Sequence, residues 1–330
     1  LVYTGPEMEL VVNLAIGENN VPYLLDGLKR VEERTGGKVK FVMNYNNSLL
    51  STSEALNGLS SGVCDISDIT LANYPSQFVY TDQVCSLPFM GFTDFVQGCH
   101  IIRNTVFNNE LMMSEFTKNN IKPLMTNCVY GSPISFTKPT EISTPETLKG
   151  KKIMTVNRIF SDFASAYGGS GVFQPVPDMY SALSTGVVDG ILMGVVVLDV
   201  FGALDVIDTI YKFQNDFSSS IKTTCINLDV WNSFDDTLKQ IFEEEILSEK
   251  FFNAYVDYMV AVEEQEWKTI EEKGIDVMVI DGEDLEAWIT AIEPFTSAYV
   301  KNLYDQGYTE IYKAIDIWKE NIARYNESRK

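Results

Sequence analysis

One histidine, His100, serves the whole 330-residue chain. Metal centres built on several imidazoles are thereby excluded, and a Ser-His-Asp or Cys-His nucleophilic centre would have to be assembled around that single residue. Its setting, Gly98-Cys-His-Ile-Ile102, reads as a half-buried helix and gives it a structural role. Cysteine is scarce too. Cys64, Cys85, Cys99, Cys128 and Cys225 show no CxxC or metal-like spacing, so they read as small buried hydrophobes, with Cys85 to Cys99 a conceivable disulfide loop. Basic residues are few: 25 Lys+Arg stand against 46 Asp+Glu, a net charge of −21. Such a surface repels phosphate backbones and anionic headgroups, which argues against nucleic acid and membrane surfaces as partners. No GxGxxG or GxxxxGK phosphate cradle occurs. Apolar runs such as Ile191-Leu-Met-Gly-Val-Val-Val-Leu198 fall far short of the ~20 residues that span a bilayer. The first residues, Leu1-Val-Tyr-Thr-Gly-Pro6, hold neither Met nor a basic stretch and read as a mature or trimmed form without a signal sequence.

What is present is a folded chain, 45% hydrophobic and 22% charged, of about two domains. Glu9 to Ile16 is strand-like and ends in the polar loop Gly17-Glu-Asn-Asn20. Pro22 opens a helix carrying Leu24, Leu25, Leu28 and Val31, which Thr35-Gly-Gly stops. Lys38 to Met43 alternates as a strand, a Ser- or Thr-capped helix is expected from about Ser51 to Leu59, and Ser61-Gly-Val-Cys-Asp65 turns into another strand. That is a β-α-β-α-β pattern, the mark of a mainly parallel sheet. The turn-rich segment 137–150 separates this unit from a second one with strand 151–156, a helix over 159–167 and extended residues 172–176. A helix capped by Asp178 follows, then Gly186-Val-Val-Asp-Gly-Ile-Leu192, which repeats the punctuation of Gly62-Val-Cys-Asp65. Residues 221–228 read as a strand crossing back to the first half. Beyond Asp235 the chain turns helical and acidic, with Phe252, Val256, Met259, Val260, Glu263, Trp267 and Ile270 on one stripe, read as core rather than as a ligand platform. Trp231 reads as core as well. A last helical stretch from Asp284 is punctuated by Pro294 and resumes toward Arg324.

The carboxylate clusters Glu243-Glu-Glu245, Glu263-Glu264, Glu271-Glu272 and Asp281-Gly-Glu-Asp284 fall in solvated stretches and read as a charged coat rather than as acid-base pairs. Asp281-Gly-Glu-Asp284 lacks the remaining ligand series of a calcium loop. Two α/β halves joined by more than one crossover, with no catalytic group and no cofactor, describe a hinged binding protein whose ligand lies at the carboxyl ends of strands between the halves.

The segments Leu148-Lys-Gly-Lys-Lys-Ile-Met-Thr-Val156 and Tyr180-Ser-Ala-Leu-Ser-Thr-Gly-Val-Val-Asp-Gly190 resemble the signature of solute-binding proteins of TRAP (tripartite ATP-independent periplasmic) transporters, the dicarboxylate-binding-protein type. Val31-Glu-Glu-Arg-Thr-Gly-Gly-Lys-Val39, Gly62-Val-Cys-Asp65, Ser86-Leu-Pro-Phe89, Leu228-Asp-Val-Trp231 and Glu272-Lys-Gly-Ile-Asp-Val277 are similar to family segments in the same order. The resemblance implies an α/β, two-lobed periplasmic-binding-protein-like fold with a long interlobe helix and C-terminal helices packed across both lobes. Lobe I would take 1–131 plus about 222–250, lobe II 132–221, and 251–330 the spanning helices. It further implies a periplasmic or extracytoplasmic place, free or lipid-anchored, a small organic ligand, and membrane permease subunits as partners.

The family's usual anchor, an arginine that forks onto a ligand carboxylate, falls here on Met154. Other contact positions map to Ser132, Val176 and Met193, and in the first lobe to Thr52, Thr70 and Asn73, while Asn157 matches a retained polar contact. Replacing Arg by Met removes a bidentate donor and adds an adaptable apolar wall. The expected ligand is therefore neutral or largely apolar, gripped by Met154, Met193 and Val176, with Asn157, Thr70 and Asn73 as hydrogen-bonding groups and Glu18, Asn19 and Asn20 as a polar rim. The alternatives are a carboxylate held by Arg158 as a displaced clamp, a small cation at Glu18 or Asp68 with Tyr74, or a sensor or enzyme on the same scaffold.

Overall fold

The structure, a computed structural model, describes residues 2–129, 133–155, 157–174 and 176–329. The chain runs β1 (Met8–Asn13), α1 (Pro22–Arg34), β2 (Val39–Asn44), α2 (Ala55–Ser61) and β3 (Ile66–Thr70), then α3 (Phe95–Phe107), α4 (Glu110–Lys118) and β4 (Ile121–Val129). It continues through β5 (Ile134–Phe136), β6 (Lys152–Thr155), α5 (Arg158–Ala166), β7 (Ser170–Phe173), α6 (Met179–Ser184), β8 (Gly190–Leu192), α7 (Val195–Val200) and β9 (Thr209–Phe213). The last part is β10 (Ser220–Asn227), α8 (Leu228–Ser233), α9 (Asp236–Glu245), α10 (Glu249–Glu272), β11 (Asp276–Ile280), α11 (Gly282–Asp305) and α12 (Ile311–Ser328).

Two sheets result, ordered β2-β1-β3-β10-β4 and β11-β9-β5-β8-β6-β7, and each centres one lobe. In the first, β1 pairs in parallel with β2 and β3, whereas β10 returns antiparallel between β3 and β4, opposing Lys222 to both Thr70 and Asn127. The chain passes between the lobes from β4 to β5, back from β9 to β10, and a third time through the 24-residue α10.

The repeated Gly-x-x-Asp turn has the same structural task in both lobes. Asp65 donates its N–H to the Val11 carbonyl and accepts the Val11 N–H on its carboxylate at 2.7 Å. Asp189 treats Lys152 identically, with both bonds at 2.8 Å. Each aspartate thus docks the beginning of one strand against its neighbour and satisfies a backbone donor that would otherwise lack a ladder partner.

The C-terminal helices strap the lobes together. α10 meets the first lobe where Tyr255 packs 5.1 Å from Tyr23, and its far end carries Ile270 into the apolar cluster of the second lobe. α1 comes close to this layer only because Gly27 has no Cβ: a methyl there would lie 2.6 Å from Ile246 and 2.7 Å from Phe251. α11 lays Trp288 on Phe163 and Phe213, and α12 returns to the first lobe, where Trp318 donates to the Tyr80 carbonyl at 3.0 Å.

Several local expectations are corrected. The second helix starts at Ala55, later than expected, and Glu54 at its cap makes no side-chain capping bond; Ser51 instead hydrogen-bonds the Glu54 carboxylate. Asp178 flanks α6 in helical conformation, which leaves no geometry for a side-chain cap. Pro294 lies inside α11 rather than ending it; the break comes at the Gln306–Tyr308 turn, with Gly307 at φ 101°. Residues 276–280 form β11, an edge strand of the second sheet, in a region expected to hold only spanning helices. Cys85 and Cys99 are not bridged: all five cysteines are free and buried. His100 packs edge-on against Phe252 at 5.1 Å and near Tyr325 at 5.7 Å, a structural placement. Glu245 is not part of a loose coat; it pairs with Arg30 at 2.7 Å and Arg34 at 2.8 Å, which lowers its pKa against the upward push of burial.

Candidate ligand-binding site

Where the crossovers meet, the lobes enclose a cavity of about 140 Å³. That matches the size of an engineered apolar cavity that takes up benzene, ~150 Å³. Cys128 and Val129 at the end of β4 and Pro133 ahead of β5 form one wall, and Val195 to Val197 at the start of α7 form another. Phe213 and Phe217 close it from the returning crossover, and α10 contributes Met259, Glu263 and Trp267.

The returning crossover is held rigidly. Phe89 donates its N–H to the Phe217 carbonyl at 2.9 Å, Asp216 donates to Phe92 at 3.1 Å, and the Ser218 hydroxyl donates to the Ser86 carbonyl at 2.7 Å. The Phe217 ring is boxed by Phe213, stacked at 5.1 Å, and by Phe89, Phe160, Phe163 and Trp288. Such an aromatic cluster fixes one wall in a single arrangement.

Among the described residues, three charges face the cavity: Lys212, Asp216 and Glu263. Asp216 is buried and accepts from the Ser218 N–H and the Ser219 hydroxyl. Glu263 accepts the Trp267 indole N–H at 3.3 Å, while the Lys212 ammonium lies 4.6 Å from the Trp267 ring centre. One cation therefore accompanies two carboxylates, and a cation over an indole face is already partly satisfied.

A second polar constellation lies on lobe I. The Lys222 ammonium meets Asp68 at 2.8 Å, and Thr224 donates to the same carboxylate at 2.9 Å. Burial raises the Tyr23 phenol above its ordinary pKa, helped by the charge of Asp68 and by Tyr258, while a hydrogen bond from Asn127 opposes the shift. Asp68 is thus already neutralised, and Tyr74 is buried with its hydroxyl donating to Thr52 and accepting from Leu56. The expected small-cation site at Asp68 and Tyr74 does not form: the carboxylate has its own ammonium and the ring face is packed.

None of the described residues expected to contact ligand lines the cavity, whereas Met259, Glu263 and Trp267, on the stripe read as core, do. Met154 and Met193 are buried in the second lobe's smaller apolar cluster with Met179, Ile191 and Val195, so strand parity turns them into that core; Val195 continues from it to the cavity wall. Val176 is half-buried at the margin of the same cluster. Asn157 caps α5 by accepting from Ile159 at 2.9 Å and donates across the lobes to Ser86 at 3.2 Å. Arg158 is not a displaced clamp. It begins α5 on the side opposite the buried Ile159, Phe160 and Phe163, its side chain is 74% exposed, and it pairs loosely with Asp162 at 3.6 Å. Glu18, Asn19 and Asn20 form an exposed 3-10 turn, Thr70 ends β3 opposite Lys222, Asn73 is half-buried, and the Thr52 carbonyl is engaged by Tyr74. Ser132 lies outside the described residues.

The residues missed were Lys212, Phe213, Phe217 and the Met259-Glu263-Trp267 face of α10. Their i, i+4, i+8 spacing was visible in the sequence, but nothing local distinguishes a helix face covering a cavity from one covering a core. Among the described residues no group of three or more His, Cys, Asp or Glu is placed to hold a metal, and no helix is long and apolar enough to cross a membrane.

Residues 24–302 match the model of the family described as bacterial extracellular solute-binding protein, family 7. An uncharacterized protein of Haemophilus influenzae is 24% identical over 307 residues, covering 91% of this chain and 85% of that one. A marine-metagenome TRAP solute-binding protein described as specific for aromatic acid ligands, solved with metahydroxyphenylacetate, superposes with a TM-score of 0.86 at 18% identity, over 97% of this chain and 99% of that one. A TRAP solute-binding protein of Rhodoferax ferrireducens with copurified benzoate gives 0.83 at 17% identity, over 98% and 100%. A Bordetella bronchiseptica relative with bound mandelate gives 0.78 at 19%, over 96% and 99%. The family and these structures are of binding proteins, not enzymes. With its match spanning most of its length and its two sheets strapped by long C-terminal helices, the chain belongs to the bacterial extracellular solute-binding proteins of family 7 and has the fold of TRAP solute-binding proteins.

Proposed function

We propose that this protein works outside the cytoplasm, captures a small ring-containing ligand without net negative charge between its lobes, and delivers it to a TRAP-type membrane permease. Lobe I, over 1–131 and about 222–250, and lobe II, over 132–221, would close on the ligand about the crossovers. A ligand that touches both lobes favours the closed form by its differential contacts. The observation that carries the ligand class is the lining of the interlobe cavity. Its walls are apolar and aromatic, and its charges are Lys212 against Asp216 and Glu263. A carboxylate entering it would meet two negative groups and one ammonium already placed over Trp267, and would lose its hydration without a bidentate partner.

Lys212 supports a second reading, an aromatic carboxylate paired with that ammonium, as the ligands named for the relatives would suggest. Thermal-shift and calorimetric titration with phenol, benzyl alcohol, indole and benzoate separates the two. Stabilisation by the neutral rings in both the parent and Lys212→Met, with no response to benzoate, supports the neutral ligand. Stabilisation by benzoate that disappears in Lys212→Met overturns it in favour of the second reading.

A further inference from the structure

The edge of the second sheet is open in a way that soluble proteins usually prevent. β11 pairs in parallel with β9 on one side and ends the sheet on the other. Three consecutive apolar side chains, Val277, Met278 and Val279, are exposed at 39%, 49% and 56%. Natural edge strands are blunted by proline, lysine, a bulge or a covering element. Asp276-Val-Met-Val-Ile280 has no proline or lysine, and its register with β9 is unbroken over all five residues.

The backbone polarity of this edge is fixed. Asp276 donates its N–H to the Asp208 carbonyl at 3.1 Å, and the Ile280 carbonyl accepts from Gln214 at 3.0 Å. Peptide groups of successive residues point to opposite sides of a strand. Asp276, Met278 and Ile280 therefore face β9, and the N–H and C=O groups of Val277 and Val279 face outward.

The flanks of this strand are acidic, while Lys212 of β9, opposite Val279, holds its ammonium over the Trp267 ring. Exposed Glu271 and Glu272 precede β11 and exposed Asp281, Glu283 and Asp284 follow it, with Asp276 at its start. The one cation in 271–284, Lys273, is paired with Asp205 at 2.5 Å. A second copy of this chain would bring the same acids against these, so self-pairing is opposed. An extended segment with alternating apolar residues between basic ends meets both the open ladder and the acidic rim.

We infer that β11 is a docking edge that takes up an extended, basic-flanked polypeptide segment of a partner protein as an added strand, with Val277 and Val279 supplying the backbone hydrogen bonds and the acids at both ends selecting Lys and Arg. This mode is β-strand addition, in which main-chain bonds supply affinity and the flanking side chains supply choice of partner. It is independent of the ligand cavity.

The test uses the full chain and a fluorescent Lys-Lys-Val-Thr-Val-Thr-Val-Lys-Lys peptide, read by anisotropy. Saturable binding that weakens with salt is expected, and a peptide with Glu in place of every Lys should fail to bind. Val279→Pro removes one outward donor while leaving every β9-facing group intact, a position where edge strands tolerate proline. Binding should weaken roughly fivefold, with ligand response and thermal midpoint unchanged. Should the proline variant unfold, the Glu271→Lys/Glu272→Lys double variant takes its place and should weaken binding of the basic peptide. Equal binding by parent and Val279→Pro, equal binding of the acidic peptide, or a dimer in sedimentation that Val279→Pro abolishes would each overturn the proposal.

Discussion

The Asn157 side chain of the second lobe donates from Nδ2 to the Ser86 hydroxyl of the first, 3.2 Å away, in a buried setting. Ser86 in turn hydrogen-bonds Asp82, whose carboxylate receives the Ile221 N–H at 2.8 Å and the Ser220 hydroxyl at 2.9 Å at the start of β10. A polar chain thus runs from the capping residue of α5 to the strand by which the chain returns to lobe I. The Asn157 contribution separates into two parts, a helix cap worth about 1 kcal/mol and an interlobe bond worth about 1 kcal/mol. In urea unfolding, Asn157→Ala should cost roughly 2 kcal/mol, and Ser86→Ala should cost less because it leaves the cap intact. A double-mutant cycle should return about 1 kcal/mol of coupling; simple additivity of the two substitutions would show that the lobes are not joined through this bond.

Asp82 and Glu115 form the titratable heart of the same region. Burial is the main cause that pushes each to about 7, although Asp82 accepts from Ile221 and Ser220 and Glu115 accepts from the Tyr80 and Thr81 N–H groups. Both values lie above those of the unfolded chain, so the folded form holds protons that the unfolded form has already released. Their contribution to stability is intact below pH ~4, declines as pH rises through the interval up to about 7, and changes no further above it. Glu266, raised to about 7 by burial and by Asp199, acts in the same direction. Glu244, lowered by the Gln240 hydrogen bond and by Arg34, and Glu245, lowered against burial by Arg30 and Arg34, act oppositely and lose their contribution as pH falls through the ordinary carboxylate range. Urea midpoints followed from pH 4 to 8 should therefore peak on the acid side of neutrality, and Asp82→Asn should flatten the decline; a rise in stability from pH 5 to 7 would contradict the assignment.

These networks also show what a sequence exposes and what it conceals. The β-α-β units were legible because helix and strand periods are local, and the Gly-x-x-Asp repeat was legible because both aspartates perform one local task, docking Val11 and Lys152. Asn157 was legible as a polar residue at a strand end, though not as a bond to Ser86. The cavity was concealed because it is assembled by the crossovers from residues as distant as Cys128, Phe217 and Trp267. Met154 was misleading for a related reason: the strand was identifiable, but which side of it faces the packed α6 and α7 cluster follows from how the sheet is covered. β11 was hidden because Asp276 to Ile280 is too short and too exposed to carry a clear period.

Lys222 and Asp68 test the cost of isolating a charge. Both side chains are largely buried, at 18% and 5% exposure, and lie 2.8 Å apart. Among the described residues, Lys222→Met leaves the Asp68 carboxylate the Thr224 hydroxyl as its hydrogen-bond partner, and should destabilise by about 3–5 kcal/mol. Adding Asp68→Asn removes the stranded charge and should recover most of that loss. If the double variant unfolds as readily as Lys222→Met alone, packing of the lysine stem rather than its charge is what matters.

Restoring the family's arginine tests where position 154 faces. Met154 is fully buried among Met179, Leu183, Val188 and Ile191, with the Val195 wall of the cavity in the same cluster. In the ligand-free protein, Met154→Arg places a guanidinium in an apolar layer without a partner and should lower stability by several kcal/mol, on the order of 3 or more. Met154→Leu, similar in volume, should cost less than ~1.5 kcal/mol. The two readings of the position then diverge on adding benzoate. If residue 154 only fills the core, benzoate leaves the thermal midpoint of Met154→Arg where it was. A midpoint that climbs with benzoate concentration in this variant but not in the parent would place the side chain within reach of the ligand, and would make the lost arginine the direct reason for the proposed preference for uncharged rings.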